Sequence, residues 1–563
     1  MPLIAESSPF PLFDLARSLS QDGELCLAAL QKLKKASKAY ATPKGRVTPE
    51  LQSEFFKIEK AFGHKFDPLT RGLFQEMIAE TGGRLLSPIE PPIDSTPFWL
   101  QTPSDLEGFR STASLPETAD YVVIGAGLTG ASTASNLILE AAQGKTVVLI
   151  ESGMRPAWGA SGRNGGNIEA MKESFLHHYR GFVEAQKDFL REKFRDLDER
   201  DLQKNAERQA KVLLEFSRDN VRIVKKLITE NQLKVDASFD GWLRIPTSPE
   251  EAHGLHEEVE FAHSLGMGFE IWSSDKILEK TGIKTQFSGR FIQESGNFHP
   301  GKFVDALVKD AVAGGVLFYT QSPVSKITPL ADGTYEIAIA GETICSKKIV
   351  VAANVSIPEI LEGTEFIEPR VSHLLNFEHQ PNVLKARYTV TTDNGDLYWN
   401  YPISKQYQDE DGLFGMLHIG GGLDTPVSRE EIDQPPFVRD IFDQVRKRTV
   451  QFTPVQSDQP PIRAWSGLMG FTQDRMPVIS FYVDPNGATH KGIIVAFACN
   501  GYGGSQCAIA GERAAEIARS GEIPTSMPDD VFSMKRFLTP IPLFENTQNS
   551  GASETHGPSG VLQ

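Results

Sequence analysis

The sequence predicts an α/β fold with a Rossmann-like βαβ unit, and three observations near residue 120 predict it. Tyr121–Ile124 is a short apolar run of the kind that forms a central parallel strand. The turn Gly-Ala-Gly-Leu-Thr-Gly follows over 125–130 and leads into small residues that favour a helix to about Ala142. A second apolar run then ends in Glu151. This order of strand, glycine turn, helix, strand and acid is typical of a unit that holds a dinucleotide.

Each position of the unit has a physical reason. Gly125 allows the tight turn, Gly127 lets the backbone approach a pyrophosphate, and Gly130 lets the helix lie close to the strand. The helix directs its N-terminal N–H groups and its dipole at the phosphates. Glu151 follows Gly130 by about 20 residues, where its carboxylate can accept hydrogen bonds from a ribose. We therefore expect cofactor contacts at Gly125, Gly127, Leu128, Thr129, Gly130, Glu151 and Ser152.

Composition limits the class of protein. At 563 residues the chain is too long for one hydrophobic core, so several domains are expected. The net charge of −16 argues against a nucleic-acid or anionic-membrane partner. The four cysteines show neither CxxC nor metal-ligand spacing, so we expect a reducing compartment and no metal site. Because neither a signal peptide nor a membrane span is evident, the cytoplasm is the expected location.

A second glycine-rich patch lies just after Glu151. Residues 158–167 read Trp-Gly-Ala-Ser-Gly-Arg-Asn-Gly-Gly-Asn. Successive N–H groups of such a run can converge on a phosphate, and Arg163 adds a fixed positive charge. A mobile loop is the alternative. The patch resembles the A-S/T-G-R-N-G-G segment of the D-amino-acid oxidase and sarcosine oxidase superfamily of FAD enzymes, particularly the branch with γ-glutamylputrescine oxidases and fungal FAD-dependent oxidoreductases. We expect contacts from Ser161, Gly162, Arg163, Asn164, Gly165 and Gly166.

Further stretches resemble motifs of the same superfamily, in the same order along the chain. They are residues 296–304 with 314–316, then 350–354, 420–422, 465–474 and 492–504. The resemblance covers residues 95–525 and implies FAD as the cofactor. No second G-x-G-x-x-G follows another strand, which argues against a separate NAD(P) domain. The resemblance adds these expected contacts: Val324, Ala353, Asn354, Gly470, Gly501, Gly503, Gly504 and Ser505.

The resulting fold prediction is an FAD-binding domain interleaved with an α+β substrate domain that carries a mixed or antiparallel sheet. A helical N-terminal extension precedes both, as a packed appendage, a dimerisation arm or an active-site cover. Phe98, Trp99 and Leu100 are expected to anchor the arm that follows. The predicted ranges are 1–90 for the extension, 91–118 for the linker, 119–210, 295–358 and 456–525 for FAD binding, 211–294 and 359–455 for the substrate domain, and 545–563 for a disordered tail.

The resemblance implies oxidation of a C–N bond in a secondary amine, an amino acid or a γ-glutamyl polyamine. Hydride passes to flavin N5, and molecular oxygen is the expected electron acceptor. Other readings are a 2-hydroxy acid or polyol dehydrogenase, a biosynthetic amine-oxidising enzyme, and a non-enzymatic flavoprotein that serves as an interaction module. A small-molecule substrate is the expected partner, and the extension offers a route to a homo-oligomer.

Three residues are candidates for catalysis, and a fourth is an alternative clamp for the substrate. His418 lies at or next to the place of the lysine that assists oxygen reduction in sarcosine oxidases, where a cationic imidazole would stabilise negative charge. Arg370 is a candidate clamp for a substrate carboxylate, as is Arg244, although either can be a structural ion-pair residue. Tyr502 lies beside the start of the last helix, whose positive dipole end is expected near the flavin N1–C2=O edge. A core histidine and a plain glycine-rich helix entry are the alternatives.

Covalent attachment of the flavin is not expected. The resemblance places the flavin-linking cysteine of monomeric sarcosine oxidases at about Gly467 in this sequence. Histidine-linked relatives place their ligand in the second glycine patch, where this chain has Asn164. Non-covalent FAD is therefore the prediction.

Overall fold

The computed structural model describes most of the chain from residue 96 to residue 538. The described residues are 12–19, 27–37, 58, 86–87, 96–170, 175–194, 197–246, 248–379, 389–393, 399–409, 412–426, 437–438, 462–497 and 500–538.

The strands of this part of the chain fall into two large sheets and two short pairs. In chain order they are β1 (Leu86–Ser87), β2 (Thr118–Ile124), β3 (Val147–Ile150), β4 (Asn167–Ile168), β5 (Trp242–Arg244), β6 (Phe269–Trp272), β7 (Gly289–Ile292), β8 (Gly296–Asn297), β9 (Leu317–Tyr319), β10 (Val324–Pro329), β11 (Tyr335–Ile339), β12 (Glu342–Val351), β13 (Glu368–His379), β14 (Thr389–Asp393), β15 (Trp399–Asp409), β16 (Gly412–Pro426), β17 (Phe437–Val438), β18 (Arg463–Phe471), β19 (Val478–Val483) and β20 (Thr489–Phe497).

The α-helices surround these sheets. In chain order they are α1 (Leu12–Leu19), α2 (Leu27–Ser37), α3 (Leu128–Asn136), α4 (Ile138–Ala142), α5 (Phe175–Lys193), α6 (Glu199–Glu230), α7 (Pro249–Ser264), α8 (Ser274–Thr281), α9 (Pro300–Ala313), α10 (Ile357–Ile360), α11 (Gly503–Ser520), α12 (Asp529–Phe532) and α13 (Lys535–Leu538). None of the helices that the structure describes combines the length and the apolar character that a membrane crossing requires.

The first large sheet contains the predicted βαβ unit. Its strands run in the order β10-β11-β12-β2-β3-β9, and β20 pairs with both β12 and β19. The strands around β2 are parallel, whereas β10, β11 and the first half of β12 form an antiparallel meander. The strand residues of Val147–Ile150 are all buried, as expected for a strand covered on both faces.

Small residues let two helices pack closely on this sheet. The Ser132 hydroxyl of α3 donates to the Ala508 carbonyl of α11 at 2.6 Å. A Cβ atom on Gly511 would collide with the Thr129 carbonyl. Since α11 thereby lies against α3, the start of the last helix is brought next to the first glycine turn.

The second large sheet runs in the order β18-β13-β16-β15-β14-β5-β7-β6. Its pairs are antiparallel except for β14 with β5. The predicted combination of a Rossmann-like domain with a mixed or antiparallel substrate sheet is therefore confirmed.

Two elements differ from the predicted ranges. β18 was expected in the FAD-binding domain, but it pairs with β13 in the second sheet along Glu368–Asn376. The predicted boundary at 210 falls inside α6, whose Asn220 side chain bonds to the backbone of Gly504 and Ile509 in α11. Long-range pairing decides both assignments, and local sequence carries no signal for it.

Local details also differ. The helix expected from Leu128 to Ala142 breaks at Leu137. The Asn136 side chain donates to the Ser132 carbonyl at 2.9 Å, so it competes with the helical hydrogen bonds there. The last helix begins at Gly503, directly after Tyr502.

The N-terminal region is described only in part. Leu12–Leu19 and Leu27–Ser37 are helical within the extension predicted over residues 1–90. Apart from Ile58 and Leu86–Ser87, residues 38–95 lie outside the described residues, as does the tail 545–563. The arm docks as predicted, because Trp99 is fully buried against Leu374 and Trp465.

Candidate cofactor-binding site

The first glycine turn leaves no room for side chains. Gly125 has φ +99°, and a Cβ atom there would lie 2.6 Å from the Ala352 carbonyl oxygen. A Cβ atom on Gly127 would lie 2.8 Å from the Ser161 hydroxyl, and one on Gly130 would collide with the Gly125 carbonyl. The turn is thus packed against the end of β12 on one side and against the second glycine patch on the other.

Gly127, the N-cap residue of the helix after this turn, has no side chain to cap it. The Leu128 N–H donates to the Ser161 hydroxyl at 2.8 Å, which ties the start of α3 to the second patch. The following N–H groups of the first helical turn and the partial positive charge of the helix N terminus both suit a phosphate.

Glu151 lies buried at the end of β3. One carboxylate oxygen accepts from the Ala126 N–H at 2.8 Å, and the other accepts from the Gly153 N–H at 2.8 Å. The Ser152 hydroxyl donates to the same carboxylate at 3.3 Å. Burial raises the pKa of Glu151, and these hydrogen bonds oppose that rise. The acid thus holds the first turn and faces the place expected for a ribose.

Val324 lies near this acid in the fold. The Ser322 N–H donates to the Glu151 carbonyl at 2.9 Å, and Val324 begins β10 two residues later. The backbone of this connection therefore runs along the acidic end of the βαβ unit, where the family resemblance expects an adenine.

Two tryptophan indoles donate hydrogen bonds to the backbone of the second glycine patch. The Trp465 indole donates to the Arg163 carbonyl at 3.0 Å, and the Trp99 indole donates to the Asn164 carbonyl at 2.6 Å. Within the patch, the Asn164 side chain accepts from the Gly166 N–H at 2.8 Å. Burial lowers the pKa of the Arg163 guanidinium, which stays cationic and donates to the Trp158 carbonyl at 3.3 Å.

β18 connects this patch to the other expected contacts. A Cβ atom on Gly467 would lie 3.2 Å from the Arg163 Cβ. Asn354, which follows β12 with φ +53°, donates to the Leu468 carbonyl at 3.3 Å and accepts from the Gly470 N–H at 3.1 Å. Ala353 precedes it, with its Cα 3.5 Å from the position of a Gly125 Cβ.

The start of α11 completes the arrangement. Gly501 has φ +88°, and a Cβ atom there would lie 3.3 Å from the Phe471 ring at the end of β18. A Cβ atom on Gly503 would lie 3.7 Å from the Leu128 side chain. No side chain caps α11, whose Ser505 is buried. The first turn, the second patch, the end of β12 and the last helix therefore meet along one edge of β18.

Orphaned buried polar atoms indicate that this place takes a polar ligand. The Asn500 side chain is 2% exposed, and its Oδ1 accepts from the Thr472 N–H at 2.8 Å. That bond fixes Nδ2 as a donor, which has no acceptor among the described residues. Asn167 Oδ1 and Gln506 Oε1 likewise lack a described partner. Both residues lie next to Gly504, because Gln506 follows it in α11 and the Asn167 carbonyl would collide with a Cβ atom on it. A carboxylate, two helix starts without a cap from their own N-cap residue and unused amide groups together fit FAD.

Comparison with known proteins agrees with this geometry. The family described as FAD dependent oxidoreductase matches residues 120–517. The chain belongs to this family. FAD is therefore its cofactor, as the family resemblance implied.

Individual relatives of this FAD dependent oxidoreductase are distant. "Probable oxidoreductase OrdL" of Haemophilus influenzae is 27% identical over 241 residues, which are 42% of this chain and 49% of that protein. The chain thus spans about half the length of this curated relative. Glycine oxidase from Geobacillus kaustophilus has a similar fold, with a TM-score of 0.55, 18% identity and coverage of 74% of this chain and 98% of that one.

A further solved structure shares the fold of the oxidoreductase. It is L-amino acid deaminase from Proteus vulgaris with its specific insertion sequence deleted. The TM-score is 0.54 at 18% identity, and the match covers 77% of this chain and 98% of that chain.

The catalytic candidates of the oxidoreductase lie on β13, on β16 and just before α11. Arg370 on β13 pairs in register with Met469, and its guanidinium lies 4.9 Å from the centre of the Phe471 ring. Tyr502 directly follows Gly501, which also faces that ring. The backbone of His418 on β16 pairs with Asn376 of β13. The structure thus brings Arg370 and Tyr502 to one end of β18, whereas the role of His418 stays a prediction.

Arg244 is a structural ion-pair residue. Its guanidinium pairs with Glu258 at 3.1 Å, and both side chains are buried. Arg290 pairs with the same carboxylate at 3.0 Å. Because Glu258 already binds two guanidinium groups, Arg244 is committed to an ion-pair network between β5 and α7.

Sequence reasoning missed some members of the site. It treated Trp99 as an anchor and Trp465 as part of a motif, and it assigned the Asn500 side chain no role. The signal for Asn500 is weak, since asparagine at positive φ is common in turns. Among the described residues, no group of three His, Cys, Asp or Glu side chains forms a metal site.

Proposed function

We propose that the protein oxidises the C–N bond of a secondary amine, an amino acid or a γ-glutamyl polyamine, with molecular oxygen as electron acceptor. The observation that carries the proposal is the position of Arg370. Its side chain is 18% exposed, it pairs with the exposed Glu368 carboxylate at 3.3 Å, and it stacks on Phe471, whose ring faces Gly501 just before the last helix. A guanidinium at this place can bind a substrate carboxylate while the amine end reaches the cofactor.

The remaining residues of this corner suit such a substrate. When bound, FAD supplies the two-electron oxidant for a C–H bond next to nitrogen. The uncapped start of α11 and the Asn500 amide stabilise negative charge that develops nearby. Phe471 and Met469 line the same side and exclude water, which favours the neutral, reactive form of an amine.

Non-covalent attachment is part of the proposal. Gly467 occupies the position of the linking cysteine in the resembling oxidases, and Asn164 occupies that of the linking histidine. Neither can form a covalent bond to a flavin. We expect the flavin to separate from the polypeptide on acid denaturation.

In this proposal, His418 assists the reduction of molecular oxygen. A cationic imidazole would stabilise the negative charge that oxygen acquires on reduction. His418→Gln is expected to slow reoxidation of the reduced enzyme by oxygen while leaving its anaerobic reduction by substrate unchanged. A stopped-flow measurement of the two half-reactions separates these effects.

Anaerobic bleaching of the flavin absorbance tests the substrate class. The purified holoenzyme is mixed with panels of secondary amines, amino acids, γ-glutamyl polyamines and 2-hydroxy acids. Bleaching by the nitrogen compounds, with peroxide formed on admission of air, supports the proposal. Bleaching by 2-hydroxy acids alone would show a dehydrogenase instead, because the Arg370 clamp suits their carboxylates equally well.

A further inference from the structure

Two tryptophans from distant parts of the chain bind adjacent carbonyls of the second glycine patch. The Trp99 indole N–H donates to the Asn164 carbonyl at 2.6 Å, and the Trp465 indole N–H donates to the Arg163 carbonyl at 3.0 Å. Trp99 is 0% exposed and Trp465 is 1% exposed, and the two share one apolar cluster with Leu374. Both indoles are therefore fixed in place by packing.

These bonds set the direction of two backbone donors. In a trans peptide the C=O and the following N–H point in opposite directions. The carbonyl of Arg163 faces Trp465, so the N–H of Asn164 points away from it. The carbonyl of Asn164 faces Trp99, so the N–H of Gly165 points away from that ring. Among the described residues neither N–H meets an acceptor, whereas the next N–H, of Gly166, donates to the Asn164 side chain.

We propose that Trp99 and Trp465 are positioning residues for the cofactor. By holding the carbonyls of Arg163 and Asn164, they direct the N–H groups of Asn164 and Gly165 at an acceptor of bound FAD. The proposal rests on FAD as the cofactor and not on the substrate class proposed above. Gly165 is buried, and Asn164 is half-buried. Buried N–H groups without a partner are rare in proteins, which supports a ligand beside Gly165.

Trp99 itself lies outside the part of the chain that matches the family, which begins at residue 120. The arm that carries it is nevertheless bound firmly to the nucleotide-binding side. The Arg155 guanidinium donates to the Leu100 carbonyl at 3.1 Å and to the Thr102 carbonyl at 2.6 Å. The Trp99 ring also meets His299 edge-on, with 4.9 Å between ring centres. The arm thus adds a component to the cofactor site that the family match does not contain.

Single indole-to-phenyl substitutions test the proposal. Trp99→Phe and Trp465→Phe each remove one N–H donor and keep an aromatic ring. Apoprotein is titrated with FAD, and binding is followed by quenching of flavin fluorescence. We expect each variant to raise the Kd for FAD about fivefold, the value of one hydrogen bond of about 1 kcal/mol. Testing both variants keeps the proposal falsifiable if one of them fails to fold.

Trp272→Phe is the matched control. Its indole donates to Glu270 at 3.0 Å in β6, at the far edge of the second sheet. This variant should bind FAD with the wild-type Kd. A purely structural role would lower the thermal midpoint of the apoprotein and leave the FAD-induced rise in midpoint unchanged. If Trp99→Phe and Trp465→Phe behave in that way, with wild-type Kd values for FAD, the positioning role is wrong.

Discussion

The carboxylate of Glu151 accepts a hydrogen bond from the backbone N–H of Ala126, with 2.8 Å between the two atoms. Ala126 lies between the first two glycines of the turn, and Glu151 ends the second strand of the βαβ unit. The acid therefore fixes the shape of the glycine turn from the neighbouring strand. It also places one charged group beside the expected ribose.

We expect Glu151→Gln to weaken FAD binding by at least about tenfold. The amide has one acceptor oxygen, so either the Ala126 or the Gly153 N–H loses its partner, at a cost of about 1.5–3 kcal/mol for a bond to a charged group. Fluorescence titration of the apoprotein measures the loss. A Kd equal to that of the wild type would show that the carboxylate does not support the site.

The same variant has an expected pH signature. Burial raises the pKa of Glu151 in the folded protein, so the wild-type apoprotein loses stability as pH rises through the carboxyl range. The Glu151→Gln variant has no carboxyl group at this position, so its stability does not fall in this way as pH rises. The difference in thermal midpoint between wild type and variant should therefore narrow as pH rises from about 4 to 8. A difference in thermal midpoint that stays constant with pH would contradict the raised pKa of Glu151.

Gly125→Ala should abolish stable flavin binding. The added Cβ would lie 2.6 Å from the Ala352 carbonyl oxygen, so the turn must move away from β12. Gly144→Ala is the matched control, because Gly144 also has positive φ (+85°) but has nothing within 4 Å of its Cβ position. Both variants bear backbone strain, and only the first disturbs the site. Flavin absorbance of the purified proteins distinguishes them; equal flavin content would argue against the turn as the cofactor site.

Arg370→Gln should raise KM for carboxylate-bearing substrates by about tenfold or more, the value of one charge-assisted interaction, with little change in kcat. Amines without a carboxylate should be unaffected. Arg244→Gln serves as the comparison, since it breaks a buried ion pair and should lower stability by about 3 kcal/mol without a specific effect on KM. Steady-state kinetics measure the effect of each variant on KM, and thermal unfolding measures its effect on stability. An unchanged KM in the Arg370→Gln variant would show that Arg370 does not bind the substrate carboxylate.

His373 should make the protein sensitive to acid. It is 1% exposed and shares a hydrogen bond of 2.8 Å with the Ser466 hydroxyl on β18. Burial lowers its pKa to about 3. Because the unfolded histidine titrates near pH 6.5, native stability should fall below that pH by about 1.4 kcal/mol per pH unit.

His373→Asn should remove this acid-dependent loss between about pH 6 and 4. The exposed His256, changed to Asn, provides a control with the wild-type slope. The slope of the thermal midpoint against pH is the measurement. If the His373 variant retains the wild-type slope, another group causes the acid sensitivity.

Much of the candidate cofactor site could be predicted from local sequence. Gly125, Gly127, Gly130 and Glu151 lie within one βαβ unit, where spacing along the chain fixes position in space. The glycine at residue 125 is required by its positive φ, and the approach of Gly130 to the Gly125 carbonyl excludes any side chain. Such requirements are local, so they leave a pattern in the sequence.

Other features were decided only by the tertiary structure. The sequence could not show that β18 joins the second sheet, or that it touches Arg163, Asn354 and Gly501 in turn. Nor could it distinguish Arg370 from Arg244, since only the fold pairs Arg244 with the buried Glu258 and Arg370 with the exposed Glu368.

The sequence by itself thus determined the cofactor class and the fold class, because a dinucleotide-binding unit is built from neighbours in the chain. The tertiary structure decided which side chains hold the candidate site together, including Trp99 from the arm and Trp465 from β18, whose indoles bond to the second glycine patch. Those contacts join residues 65 and 302 positions apart in the chain, and only the tertiary packing brings them together.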